Sequence, residues 1–187
     1  MKRLLITIAG FALVATACGA SNDSGDSASA VHNQADIDFV QGMIPHHEQA
    51  VTMSTFASTR ASSAKVKELA GRIEAAQEPE IKQMKGYLKD WDVEEAGDDH
   101  GGAHGGGMAG HPGMLSEDEL ARLKAAKGAE FDRLFLQGMI GHHRGAITAS
   151  EKEQAEGQSP MARDLAGAII GMQRAEITEM EQLLAAE

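Results

Sequence analysis

The chain has 187 residues, 42% of them hydrophobic and only 4% aromatic, and a formal net charge of −11. That length and apolar share suit one compact domain, or two intimately packed halves, plus tails, and the Ala, Leu, Met, Glu and Gln content favours helices over sheets. The acidic balance argues against nucleic acid and against electrostatic binding to anionic lipid, and a single cysteine excludes an internal disulfide.

The first segment reads as a targeting signal. Lys2 and Arg3 precede an apolar run from Leu4 to Ala17, too short for a convincing membrane span. Cys18 follows the small residues of 15-ATAC-18, which resembles a bacterial lipoprotein cleavage site. Residues 1–18 are therefore expected to be a lipoprotein-type signal peptide, with Cys18 lipidated and the mature chain anchored on the extracytoplasmic side of the cell membrane. Ala15 stands where that pattern usually has Leu or Val, and the alternative is ordinary cleavage near Ala17 or Ala20, which gives a secreted protein. Loss of Lys2 and Arg3 takes the formal charge from −11 to −13. Residues 19–34, which begin 19-GASNDSGDSASA-30, have no core-forming side chains in that stretch and read as a flexible tether.

The helices follow. Asp36 is expected to cap a helix over 36–59, and a second runs over 63–90, past Gly71 and an irregularity at Pro79. Residues 93–115 form a Gly/His/Met-rich loop around 97-GDDHGGAHGGGMAGHPGM-114. Ser116 and Glu119 make a capping box, stapled by Leu115 and Leu120, which opens a short helix over 117–126. Gly128 interrupts it. A long helix over 129–156 ends at Gly157 and Pro160, and a last one covers 161–185.

A repeat with an offset of 96 organises these elements. Phe39, Gln41, Met43, His46 and His47 match Phe135, Gln137, Met139, His142 and His143. The same offset pairs Leu69-Ala70-Gly71 with Leu165-Ala166-Gly167, Ile73 with Ile169, Gln77 with Gln173, Glu80 with Glu176, and Met84 with Met180. Residues 35–92 are thus a first helix-hairpin repeat and 116–187 a second, with a short leading helix. Two helix pairs predict an all-α, four-helix bundle.

Each helical residue turns about 100°. On that count Met43, His46 and His47 lie on or beside the face that packs inward. Ile73, Gln77, Ile81, Met84 and Leu88 form the facing stripe with Glu80 beside it, and the second copy repeats this with Gln173, Glu176 and Met180. A lone Met or His on such a face is usually structural, and His–Glu pairing across the bundle would explain the polar groups without a metal. Against this stands the distribution of histidine. Of eight, four lie in the repeats, three in the loop, and only His32 elsewhere. The loop also collects methionines where there is no core to fill.

Imidazole suits copper, zinc, iron and nickel, whereas thioether selects Cu(I). The candidate ligands are His46, His47, His142, His143, Met43, Met139, Met84, Met180, Glu80 and Glu176, with His100, His104, Met108, His111 and Met114 as an auxiliary loop set. The expected metal is copper, as Cu(I) or Cu(II), ahead of zinc or iron. Pro45 removes a backbone donor and is either a tolerated kink or a device that tilts His46 and His47, with Gly141 permitting a similar distortion in the second copy.

The phrases 39-FVQGMIPHHEQAV-51 and 135-FLQGMIGHHRGAI-147, with 73-IEAAQEPEIKQM-84 and 169-IIGMQRAEITEM-180, resemble the bacterial domain-of-unknown-function family 305 over about residues 35–187. The resemblance implies an exported protein, often a lipoprotein, with a ferritin-like architecture of two similar helix pairs. It makes His46, His47, His142 and His143 hallmark positions, with Met43 and Met139 alongside, and some members are associated with copper binding and tolerance. The expected function is copper capture, buffering or tolerance outside the cytoplasm, with a copper-handling protein as a candidate partner. The alternatives are a ferritin-like metal oxidoreductase and a metal-free structural or interaction bundle. A di-iron site wants a Glu from each of two helices and Glu-x-x-His from two more; here Gln77-x-x-Glu80 and Gln173-x-x-Glu176 supply one carboxylate per repeat. No nucleophile or phosphate-loop motif is present.

Overall fold

Capping sets where each helix begins. In the computed structural model, which describes residues 31–96 and 112–186, α1 spans Gln34–Arg60. Its cap is Asn33, not Asp36: the Asn33 side chain accepts from the Asp36 amide, and the Asp36 carboxylate accepts the Asn33 N–H at 2.6 Å. Asp36 is the third residue of a capping box, so the helix starts two residues earlier than the sequence suggests. Ser63 caps α2 (Ala64–Asp90), the Ser116–Glu119 box opens α3 (Glu117–Ala125), and Ser159 with Pro160 opens α5 (Pro160–Ala185). Between them α4 covers Ala129–Glu156, after Gly128 turns the chain with φ 66°. Both α1 and α2 run unbroken through Pro45 and Pro79. An interior proline costs roughly 3 kcal/mol, and the buried faces on either side keep each helix in register. Among the described residues there is no strand, and no helix is long and apolar enough to cross a membrane.

Helices α1 and α2 pack as one hairpin and α4 and α5 as another, joined mainly through α1 against α4. These two central helices are antiparallel, because Ala61 at the end of α1 meets Gly128 at the start of α4. The repeats also grip each other's turns. Asp36 accepts the amides of Gln158 (3.1 Å) and Ser159 (2.8 Å), between α4 and α5. Asp132, 96 positions on, accepts those of Ser62 (3.1 Å) and Ser63 (2.9 Å), between α1 and α2. Each buried aspartate thereby satisfies turn and helix-start donors of the opposite repeat.

One departure from the repeat lies at this end of the bundle. Glu153, which is 1% exposed, stands where the first copy has Ala57. Its carboxyl lies against Asp36 beside Gly157. Burial, then the adjoining Asp36 carboxylate, push Glu153 up to about 8. Burial also acts to raise Asp36, but the Glu153 carboxyl and the amides of Asn33, Ser159 and Gln158 outweigh it, and Asp36 stays ionised below its ordinary range.

Two apolar clusters fill the bundle, each with residues from both repeats. One contains Ala50, Met53, Ile73, Phe135, Met139 and Met180. The other contains Phe39, Met43, Met84, Leu88, Ala146 and Ile169. Leu115 and Leu120, the expected staple, both pack half-buried on the first cluster. Along α1 the histidines fall between Met43 of one cluster and Ala50 of the other; along α4 they fall between Met139 and Ala146. Neither hairpin buries its apolar face without the other, which is the physical reason for two copies.

Candidate metal centre

Where α1 and α4 cross, the His-His pairs form a polar layer across the core. His46, His47, His142 and His143 are all buried. The first histidine of each pair turns toward the other repeat: the His46 and His142 rings lie 3.7 Å apart between centroids, tilted by 40°. The second turns toward its own hairpin partner. His47 Nε2 is 2.8 Å from Glu80 Oε2 on α2, and His143 Nε2 is 2.7 Å from Glu176 Oε2 on α5. Helical spacing explains this division, since adjacent residues differ by about 100° in direction.

The remaining ring atoms matter chemically. Nδ1 of His47, Nδ1 of His143 and both ring nitrogens of His142 are buried without a hydrogen-bond partner among the described residues. His46 Nε2 lies 3.3 Å from the Pro112 carbonyl. Burial, then the neighbouring His46, His143 and His47, hold His142 well below the usual imidazole range, so it stays neutral. On one side of this layer lie Met43 and Met84; on the other lie Met139 and Met180, all at most 2% exposed. Gln77 and Gln173 are buried too, and both keep amide atoms without a partner among the described residues.

The structure thus brings together ten of the expected ligands in three adjacent layers, but not around one point. Among the described residues, no three His, Cys, Asp or Glu side chains are arranged to hold one ion. Both glutamates are engaged by histidine, and His46 and His142 meet ring against ring. Cys18, His100, His104, Met108 and His111 lie outside the described residues.

Met114 is half-buried in a strap, Pro112–Leu115, that crosses the histidine layer. Gln49 clamps it from both directions: its amide donates to the Leu115 carbonyl (3.0 Å), and its carbonyl accepts the Leu115 N–H (2.7 Å). The strap packs so closely on α4 that a Cβ at Gly145 would collide with the Pro112 carbonyl, and one at Gly113 (φ 88°) with that of Gly141. Helix α4 runs unbroken through Gly141. A cleft of about 40 Å³ opens beside the strap, lined by Phe39, Met43, His46, Pro112, Gly145 and Ala149 among others. Sequence reasoning missed Gln49 and Pro112. The signal was the mismatch between copies, since Gln49 aligns with Gly145 and Pro45 with Gly141.

A candidate secreted protein of the DUF305 family from Streptomyces coelicolor is similar to this chain with a TM-score of 0.73 and 29% identity, over 86% of this chain and 95% of that one. A DUF305 fragment from Deinococcus radiodurans gives 0.73 and 31%, over 83% and 98%. CopM in its Cu(II)-bound form gives 0.68 and 32%, over 81% and 96%; CopM has also been crystallised in Cu(I)-bound, Ag-bound and apo forms. Uncharacterized protein L153 of Acanthamoeba polyphaga mimivirus is 40% identical over 62 residues, which is 32% of this chain and 41% of that protein. The family model of the domain of unknown function DUF305 matches residues 36–184, nearly the whole described bundle, and the chain belongs to that family.

Proposed function

We propose that this protein binds copper outside the cytoplasm, capturing or buffering it through the duplicated His/Met layers. The observation that carries this reading is the chemistry of the donor set. Four buried imidazoles, at least one held neutral, lie between two pairs of buried thioethers. Soft thioethers with neutral imidazole favour Cu(I) and its analogue Ag(I) over zinc. CopM, about 30% identical over 81% of this chain, takes Cu(I), Cu(II) and Ag, which supports the same class of ligand. The ligands proposed are His46, His47, His142 and His143 with Met43, Met84, Met139 and Met180; His100, His104, Met108, His111 and Met114 would collect ions at the loop. A lipid anchor on Cys18 would hold the protein at the membrane surface, within reach of a copper-handling partner.

The test is competition. The chain from residue 19 onward is titrated with Cu(I) and with Zn(II) against a chelator of known affinity. Copper should be retained in preference to zinc, and changing all four histidines to Ala should abolish the preference. Equal retention of both metals, or a quadruple variant that behaves as the parent, contradicts the proposal.

A second reading has its own observation. His47–Glu80 and His143–Glu176 are complete pairs with fully buried histidines, so the layer could serve packing alone. That reading gives identical thermal unfolding with copper and with chelator, whereas a ligand that binds the folded state raises the midpoint.

A further inference from the structure

We infer that Glu80 and Glu176 are positioning residues and not metal ligands: each fixes its histidine in the Nε2–H tautomer and leaves Nδ1 as the atom offered to an ion. The inference rests on the proposed metal reading and adds to it which atom binds. A neutral imidazole carries one N–H and one lone pair. An ionised carboxylate only accepts, so the nitrogen facing it must hold the proton. That nitrogen is Nε2 in both repeats, at 2.8 Å from Glu80 and 2.7 Å from Glu176. The lone pair then sits on Nδ1, which in both residues is buried without a partner among the described residues. A second proton there would add a buried donor with nothing to receive it.

The arrangement occurs twice, 96 residues apart, on different helices and with different neighbours, so it is a property of the repeat and not of one local packing accident. It has the form of a carboxylate–histidine pair that orients a metal-binding ring from behind. A ligating role for the glutamates would require each to release its histidine. It would also leave Nε2–H buried and unpaired.

The experiment is ¹⁵N NMR of the imidazole rings in the full chain from residue 19, first without metal and then with Ag(I), a diamagnetic stand-in for Cu(I). Without metal, His47 and His143 should show protonated Nε2 and bare Nδ1. With Ag(I), the Nδ1 signals should move while Nε2–H persists. Movement of Nε2 with loss of its proton, or bare Nε2 in the metal-free protein, overturns the inference while leaving metal binding intact. Silver that moves no ring nitrogen overturns the metal reading itself. Glu80→Gln and Glu176→Gln keep a carbonyl acceptor, so the double variant should hold the tautomer and bind Ag(I) within a few-fold of the parent. The corresponding Ala variant should lose the tautomer and bind roughly 10–100-fold more weakly. A Gln variant that loses as much affinity as the Ala variant contradicts a positioning role.

Discussion

Replacing Glu153 by Gln should remove most of the protein's sensitivity to alkaline pH. Glu153 sits at about 8 in the folded chain against an ordinary 4.5, because it is buried against the ionised Asp36. Its folded-state value is raised, so its contribution is undiminished below about pH 4.5. It is lost progressively as pH rises toward 8 and then levels off. One unit corresponds to about 1.4 kcal/mol. The gap between 4.5 and 7 therefore costs about 3 kcal/mol at neutral pH, and the full gap to 8 costs about 5 kcal/mol, as order-of-magnitude values. With a side chain 1% exposed, water does little to reduce this. Gln cannot ionise, and its amide can face Asp36 without placing a second charge there. Urea unfolding of parent and Glu153→Gln at pH 5, 7 and 8.5 checks this. The two should nearly coincide at pH 5, and the variant should lead by about 3 kcal/mol or more at pH 8.5. Parallel pH dependences would refute the acid–carboxylate pairing of Glu153 with Asp36.

Three further outcomes follow from the packing. Gly145→Ala should push the strap off α4, costing about 1–3 kcal/mol and speeding hydrogen exchange at the Leu115 amide; unchanged exchange would mean that the strap is not held there. Asp132→Ala strips the acceptor from the Ser62 and Ser63 amides and should lower stability by about 2 kcal/mol or more in urea unfolding, with Asp132→Asn losing less. Folded His142 resists protonation, so in chelator the stability should fall as pH drops below 6.5, where the unfolded chain takes up the proton; His142→Gln should remove that part of the slope.

What the sequence disclosed was decided by local rules. The period of the helix put Met43, His46 and His47 on the inward face, and the duplicated Glu80 and Glu176 pointed to polar partners facing them. Both statements depend only on spacing within one helix. The choice between Asn33 and Asp36 as cap was not decidable that way, because either can cap and the box uses both. Nor did the repeat reveal that its copies cross antiparallel, which is what sets His46 against His142 and sends each aspartate to the other hairpin's turn. The Gln49/Gly145 mismatch was visible, yet its cause lies 66 and 33 residues away along the chain, in a strap that no periodicity describes. Glu153 was equally visible as a break from Ala57, and only the approach of Asp36 gives it meaning.

The central claim is that copper is the ion this bundle holds. Elemental analysis of the protein purified from the cells that make it, without added metal or strong chelator, tests that claim most directly. The account predicts bound copper in excess of zinc and iron, and its loss when His46, His47, His142 and His143 are all replaced by Ala. Protein that carries zinc or iron in place of copper, or copper that survives removal of all four histidines, would contradict it.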